Sequence, residues 1–248
     1  MRKVFGGGTI FGAATGAAPF RVLALPGWMH PASDFDAALA GLPAGGVALD
    51  LPGFGGPTAE PPEAWGAAEY AKAVLPVFDD LAPPAVVVGH SFGGRVAVHL
   101  AATHPELVAG LVLTGVPLLR RTDRPAARPA VSYRVARFLN RRGLLPDERM
   151  EALRRRHGSA DYRAATGVMR DVLVKVTNET YEEQLRAVQC PVEMVWGERD
   201  DAAPVSVAEA ARAMIPSDAV LTVLPGVDHF VPTAAPDALR AAIERVLA

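Results

Sequence analysis

Gly89-His90-Ser91-Phe92-Gly93 sets a serine hydroxyl between glycines, directly after the apolar run Ala85-Val86-Val87-Val88 and before a helical stretch over 93–103. A strand that turns at once into a helix holds its central residue strained and exposed. Side chains at the flanking positions would collide with neighbouring backbone, so glycine is needed there. The helix aims its first N–H groups at the turn, where they favour developing negative charge. This arrangement suits nucleophilic attack by Ser91. A phosphate-binding turn is the competing use of such a junction, but a dinucleotide site would show G-x-G-x-x-G here, and this junction does not.

A serine hydroxyl is a weak nucleophile at neutral pH. It needs a base, and the base needs an orienting carboxylate. Beyond Ser91, His99 and His104 ride the same helix, with His104 about 20 Å along it. His157 lies in an arginine-rich stretch and is expected to be solvated. His229 follows the last expected strand, in Gly226-Val227-Asp228-His229-Phe230. Loops at the carboxyl ends of strands are where open α/β sheets place their sites, so His229 is the expected base.

For the acid, Asp200 and Asp201 follow the penultimate strand, in Trp196-Gly197-Glu198-Arg199-Asp200-Asp201, and both qualify by position. Asp228 is poorer, because adjacent residues rarely face each other. Asp200 also has a structural alternative, as an N-terminal carboxylate for the helix that follows. His90 points away from Ser91 at a tight turn and is expected to pack beside the site, with Trp28 and Phe230 as further pocket residues. Two backbone N–H groups are expected to hold an oxyanion. One is that of Phe92, after the nucleophile. The other is that of Trp28, in Pro26-Gly27-Trp28-Met29, where Gly27 permits close approach.

These residues need a scaffold. Short apolar runs alternate with amphipathic stretches, which argues for βαβ units and a mostly parallel sheet. Strands are expected at 20–25, 47–50, 85–88, 111–114, 192–196 and 219–223, and helices at 63–80, 93–103, 205–215 and 236–247. Glycines 6, 7, 8, 12 and 16 break the apolar N-terminal stretch, so it reads as a β-hairpin rather than a secretory signal. Between about 117 and 188 the alternation stops. The expected division is therefore a core of 1–116 and 189–248 and a helical insertion over 117–188.

At 248 residues, half of them hydrophobic, the chain suits one large domain with an insertion. A net charge of −2 gives no general case for nucleic acid or a membrane surface as partner. No run is long and apolar enough to span a bilayer. The single cysteine, Cys190, cannot form an internal disulfide and is expected to be an inert thiol, so a cytoplasmic protein is expected. No cluster of His or Cys has metal-ligand spacing, and no cofactor is expected. Charge is uneven. Between 120 and 156 lie twelve arginines against Asp123, Asp147, Glu148 and Glu151, a local +8 that leaves −10 elsewhere. Such a lid would draw in an anionic substrate, although a solvated arginine surface explains it as well. Val131, Tyr133, Val135, Phe138, Leu139, Leu144 and Leu145 are expected to form its apolar underside.

With elbow, acid and base in place, the chain resembles the α/β-hydrolase superfamily over nearly its full length, and most of all its small esterases and carbon–carbon bond hydrolases with a single cap. The resemblance rests on Pro26-Gly27-Trp28, Asp50-Leu51-Pro52-Gly53-Phe54-Gly55, Gly89 to Arg95, Gly197 to Asp200 with Pro204, and Gly226 to Phe230. It implies the chain order serine, acid, histidine. It also selects Asp200 over Asp201, because Asp200 falls three residues after Gly197 and four before Pro204. One departure is Pro26, where the family usually has histidine. The resemblance implies a Ser91–His229–Asp200 triad acting on a small-molecule ester or related acyl bond. Carbon–carbon hydrolysis, perhydrolysis and a lyase reaction remain open with the same residues, as does a receptor that has kept the scaffold without turnover. Haloalkane dehalogenation is disfavoured, because its nucleophile is a carboxylate. Nothing in the sequence reads out an oligomeric state.

Overall fold

A computed structural model describes residues 2–54, 58–120 and 160–248. Between the last two segments it also describes 135–136, 138–140, 142–146, 148–150 and 152. Eight strands form one sheet: β1 Arg2–Phe5, β2 Ile10–Thr15, β3 Phe20–Leu25, β4 Gly45–Asp50, β5 Ala85–His90, β6 Val108–Thr114, β7 Val192–Gly197 and β8 Ala219–Leu224. Their spatial order is β1-β2-β4-β3-β5-β6-β7-β8. β1 and β2 form the expected hairpin, β2 also runs antiparallel to β4, and the other neighbours are parallel.

Alternation along each strand separates two cores. Leu23, Leu25, Leu49, Val87, Leu113 and Trp196 pack on one side of the sheet, under α2 Ala67–Val74 and α3 Phe92–Thr103. Val22, Ala24, Ala48, Val86, Val112 and Val195 pack on the other, against α1 Asp36–Leu39 and the C-terminal helix Pro236–Leu247. A strand buried on both faces reads as a continuous apolar run, which is why β5 was legible as 85–88. Each fully buried Leu or Val contributes roughly 1.5–3 kcal/mol through removal from water.

The helix expected over 63–80 is shorter and mixed in form. Gly66 caps α2, and its N–H donates to the Glu69 carboxylate at 2.7 Å. The chain then tightens into a 3₁₀ turn over Leu75–Asp80. Pro76 explains the change, since it has no N–H to continue the α-helical ladder. Between β6 and β7 the described residues include the helices α4 Ala160–Ala164, α5 Gly167–Asn178 and α6 Glu182–Ala187, and no strand. α7 Val205–Arg212 links β7 to β8, and α8 Val231–Ala234 and α9 Pro236–Leu247 close the chain.

Of the expected apolar underside of the insertion, Val131 and Tyr133 lie outside the described residues, as do most of the arginines. Val135, Phe138 and Leu144 are largely exposed. Cys190 is half-buried, and burial pushes its thiol up to about 11. Among the described residues, no helix is long and apolar enough to cross a membrane.

Candidate active site

Ser91 sits between β5 and α3 with φ 49° and ψ −112°, a conformation that costs a non-glycine residue on the order of 1–3 kcal/mol. The surroundings hold it there. Its N–H donates to Thr114 O on the neighbouring strand at 2.9 Å, and Gly93 N–H donates to Pro26 O at 3.0 Å. A Cβ at Gly89 would collide with the Gly94 backbone, and one at Gly93 with the Leu25 carbonyl. The two glycines thus let strand and helix meet at the angle that presents the hydroxyl.

His229 reaches this hydroxyl from the loop after β8. Its Nε2 lies 3.1 Å from Ser91 Oγ, and its Nδ1 lies 2.8 Å from Asp200 Oδ2. A carboxylate only accepts, so Nδ1 carries the proton and Nε2 presents a lone pair to the serine O–H. Asp200 is buried, and its other oxygen accepts the N–H groups of Ala202 at 2.9 Å and Ala203 at 2.7 Å. The two oxygens of Asp200 thus have different surroundings: one braces the turn before α7, whose N-cap is Pro204 rather than Asp200, and the other faces the imidazole. Asp201 is exposed on the cleft wall, and Asp228 accepts the Phe230 N–H at 3.0 Å instead.

Phe92 opens α3, where an α-helix offers its N–H no carbonyl partner. Trp28 lies in a turn closed by His30 N–H donating to Gly27 O at 3.1 Å. A cleft of about 630 Å³ opens over Ser91 and His229, and Trp28, Phe92 and Phe230 form much of its apolar wall. The insertion contributes Leu173, Val176 and Thr177 from α5.

His90 stands behind that wall. It is buried, its ring centroid is 4.9 Å from that of His229, and its Nδ1–H donates to Thr114 O at 3.1 Å. Burial, reinforced by the neighbouring His229, pushes its pKa down to about 3, so it is neutral at working pH. A Cβ at Gly27 would come within 2.9 Å of the His90 ring, which explains the glycine after Pro26.

Of the other histidines, His104 pairs with Glu106 at 3.3 Å and His99 packs edge-on to Tyr181, both away from the cleft. His157 lies outside the described residues.

Three site neighbours escaped the sequence reading. His30 pairs with Asp34 at 2.6 Å and packs 5.2 Å from Phe230. Its i, i+4 spacing from Asp34 was the local signal, while its contact with Phe230 is long-range. Gly115 follows β6 with φ 60°, and a Cβ there would stand 3.0 Å from His229 Nδ1 and 3.1 Å from Asp200 Oδ2. Arg95 also lines the cleft, although it is only 8% exposed. Nothing local in the sequence announced either contact.

A serine elbow at the carboxyl edge of a mainly parallel eight-stranded sheet, faced by a histidine and a buried aspartate from the last two strand ends, is the architecture of the α/β-hydrolase fold. The sequence profile of the alpha/beta hydrolase family matches residues 22–242, and the chain belongs to that family. An uncharacterised hydrolase, YugF, of Bacillus subtilis (strain 168) is 25% identical over 211 residues, covering 77% of this chain and 76% of that one. A pimeloyl-(acyl-carrier protein) methyl ester esterase of Chromobacterium violaceum is 31% identical over 198 residues, covering 73% of this chain and 75% of its own. Among solved structures, a thermophilic esterase from Thermogutta terrifontis shares the fold with a TM-score of 0.70 at 22% identity, covering all of this chain and 98% of that one. The protein is an esterase-like hydrolase with triad-like geometry at Ser91, His229 and Asp200.

Proposed function

We propose that the protein hydrolyses a small carboxylic ester or related acyl bond through an acyl-enzyme. The observation that carries this is the unbroken contact chain from Ser91 Oγ through His229 to Asp200 Oδ2. His229 Nε2 takes the Ser91 proton as Oγ attacks the carbonyl, and Asp200 steadies the imidazolium. The N–H groups of Phe92 and Trp28 receive the oxyanion, a contribution worth about 100- to 1000-fold in turnover per donor. His229 then returns the proton to the leaving alcohol. In the second half-reaction it activates a water that releases the acid and regenerates Ser91. Trp28 and Phe230 favour an apolar group beside the scissile bond. The Chromobacterium relative, named for a methyl ester, supports an ester as the bond cleaved. Residues 1–116 and 189–248 act as the core and 117–188 as a cap over the cleft in this reading.

Treatment of wild type and Ser91→Ala with a fluorophosphonate probe and a panel of nitrophenyl esters tests it. Labelling and turnover in wild type alone are expected. Labelling without turnover of any ester would move the substrate to another acyl or a carbon–carbon bond. A wild type that is not labelled would mean a scaffold without catalysis.

A further inference from the structure

Arg95 is a cation in an unusual place. It lies in the first turn of α3, four residues and about one turn (~5.4 Å of rise) beyond the N-cap residue Ser91, and both line the same cleft. Side chains on a helix lean towards its N-terminus, which brings Arg95 back towards the nucleophile. The residue is 8% exposed and lines the cleft beside apolar groups such as Phe92 and Leu173.

Its neighbours favour the charged form, with Tyr181 and Glu179 opposing the effect of burial. Nη1 donates to Val176 O near the C-terminal end of α5 at 2.5 Å, and the guanidinium lies 5.7 Å from the centre of the Tyr181 ring. Among the described residues, Nε has no hydrogen-bond partner. Among the described residues, no carboxylate lies within ion-pair distance of it. Glu179 favours the cation from beyond ion-pair distance, while one of its oxygens accepts the Tyr181 hydroxyl at 2.7 Å and the Ala67 N–H at 3.1 Å. A helix end, a ring face and an acid beyond ion-pair distance compensate a cation only in part for its removal from water. A packing role alone is poorly served by such a residue.

We propose that Arg95 binds an ionised carboxylate carried by the substrate, so that the preferred esters are monoanions with the acid about one helical turn from the scissile carbonyl. This builds on the serine-hydrolase reading above. It does not depend on the arginine-rich segment, most of which lies outside the described residues. A short half-ester of a dicarboxylic acid fits with the acid on the acyl side. An ester of a short hydroxy acid fits with the acid on the alcohol side.

Two matched pairs test the proposal and separate the sides: monoethyl glutarate against ethyl valerate, and the butyrate ester of 4-hydroxybutanoic acid against butyl butyrate. Wild type should favour the acidic member of one pair by about ten-fold or more in kcat/KM. Arg95→Met should lower that acidic-to-neutral ratio by about 10- to 100-fold, and Arg95→Lys by less, in line with losing a charge-assisted hydrogen bond. A wild type that favours the neutral ester in both pairs overturns the proposal. So does an Arg95→Met enzyme whose two rates fall together with their ratio unchanged. If Arg95→Met fails to fold in a melting scan, inhibition of wild type decides: glutarate should inhibit at least ten-fold more strongly than glutaramide, and equal inhibition refutes the proposal. Calorimetric titration of Ser91→Ala with glutarate distinguishes the two readings. Binding there that is lost in Ser91→Ala/Arg95→Met upholds the carboxylate site even if no ester is turned over.

Discussion

Ser91 and His229 are separated by 138 positions in the chain, yet Oγ and Nε2 approach to 3.1 Å. Removing either end of that contact should abolish the chemistry rather than weaken it. Ser91→Ala and His229→Ala should each lower kcat about 10⁴- to 10⁶-fold, and the double variant should be little worse than either alone, because the pair acts as a unit. Initial rates on a nitrophenyl ester provide the check. Losses that multiply in the double variant would mean the two act independently.

Asp200 and Asp201 are neighbours in sequence with different surroundings. Asp200→Asn should cost roughly 10³- to 10⁴-fold in kcat by disturbing the His229 tautomer. Asp201→Asn, on an exposed wall, should stay within about three-fold of wild type. A larger loss in the second variant would reassign the acid.

Gly115 makes the imidazole's position testable from behind. Gly115→Ala would introduce a Cβ 3.0 Å from His229 Nδ1 at a φ of 60°. The backbone strain should cost about 1–2 kcal/mol of stability, seen as a lower Tm. Displacing the ring should lower kcat about 10- to 100-fold with little change in KM. An enzyme with unchanged kcat would show that His229 tolerates the intrusion.

His90 predicts an acid-side stability loss. Its pKa in the fold is about 3, below the ordinary histidine value of about 6.5, because burial and the neighbouring His229 and His30 disfavour its charged form. Between those values the unfolded chain binds a proton that the folded chain does not. Stability therefore falls as pH drops from about 6.5 towards 3, by up to about 1.4 kcal/mol per unit from this group. His90→Asn keeps a donor near Thr114 O but cannot titrate. Its urea-unfolding free energy should fall less steeply than that of wild type between pH 6.5 and 4.5. Parallel slopes would place the acid sensitivity elsewhere.

Much of this was readable from residues alone because it is local. A four-residue apolar run before Gly89-His90-Ser91 could only be a buried strand entering a tight turn, and the glycines around Ser91 are steric necessities of that turn. The order of strands let His229 and either Asp200 or Asp201 be expected at one sheet edge, and the family resemblance chose Asp200. Pro76 is also local, yet a helical apolar pattern continuing to Phe78 masked its effect on the end of α2. His30 went unseen because its contact with Phe230 joins segments 200 residues apart.

The sequence by itself determined the periodicities, the elbow and the types of residue available for catalysis, since each depends on backbone geometry within a few positions. Only the tertiary structure decided which oxygen of Asp200 meets His229, that Gly115 abuts that pair, and that Arg95 turns into the cleft. Those relations arise where separate strands and helices pack, and the directions of side chains across such contacts follow from the whole core rather than from any stretch of chain.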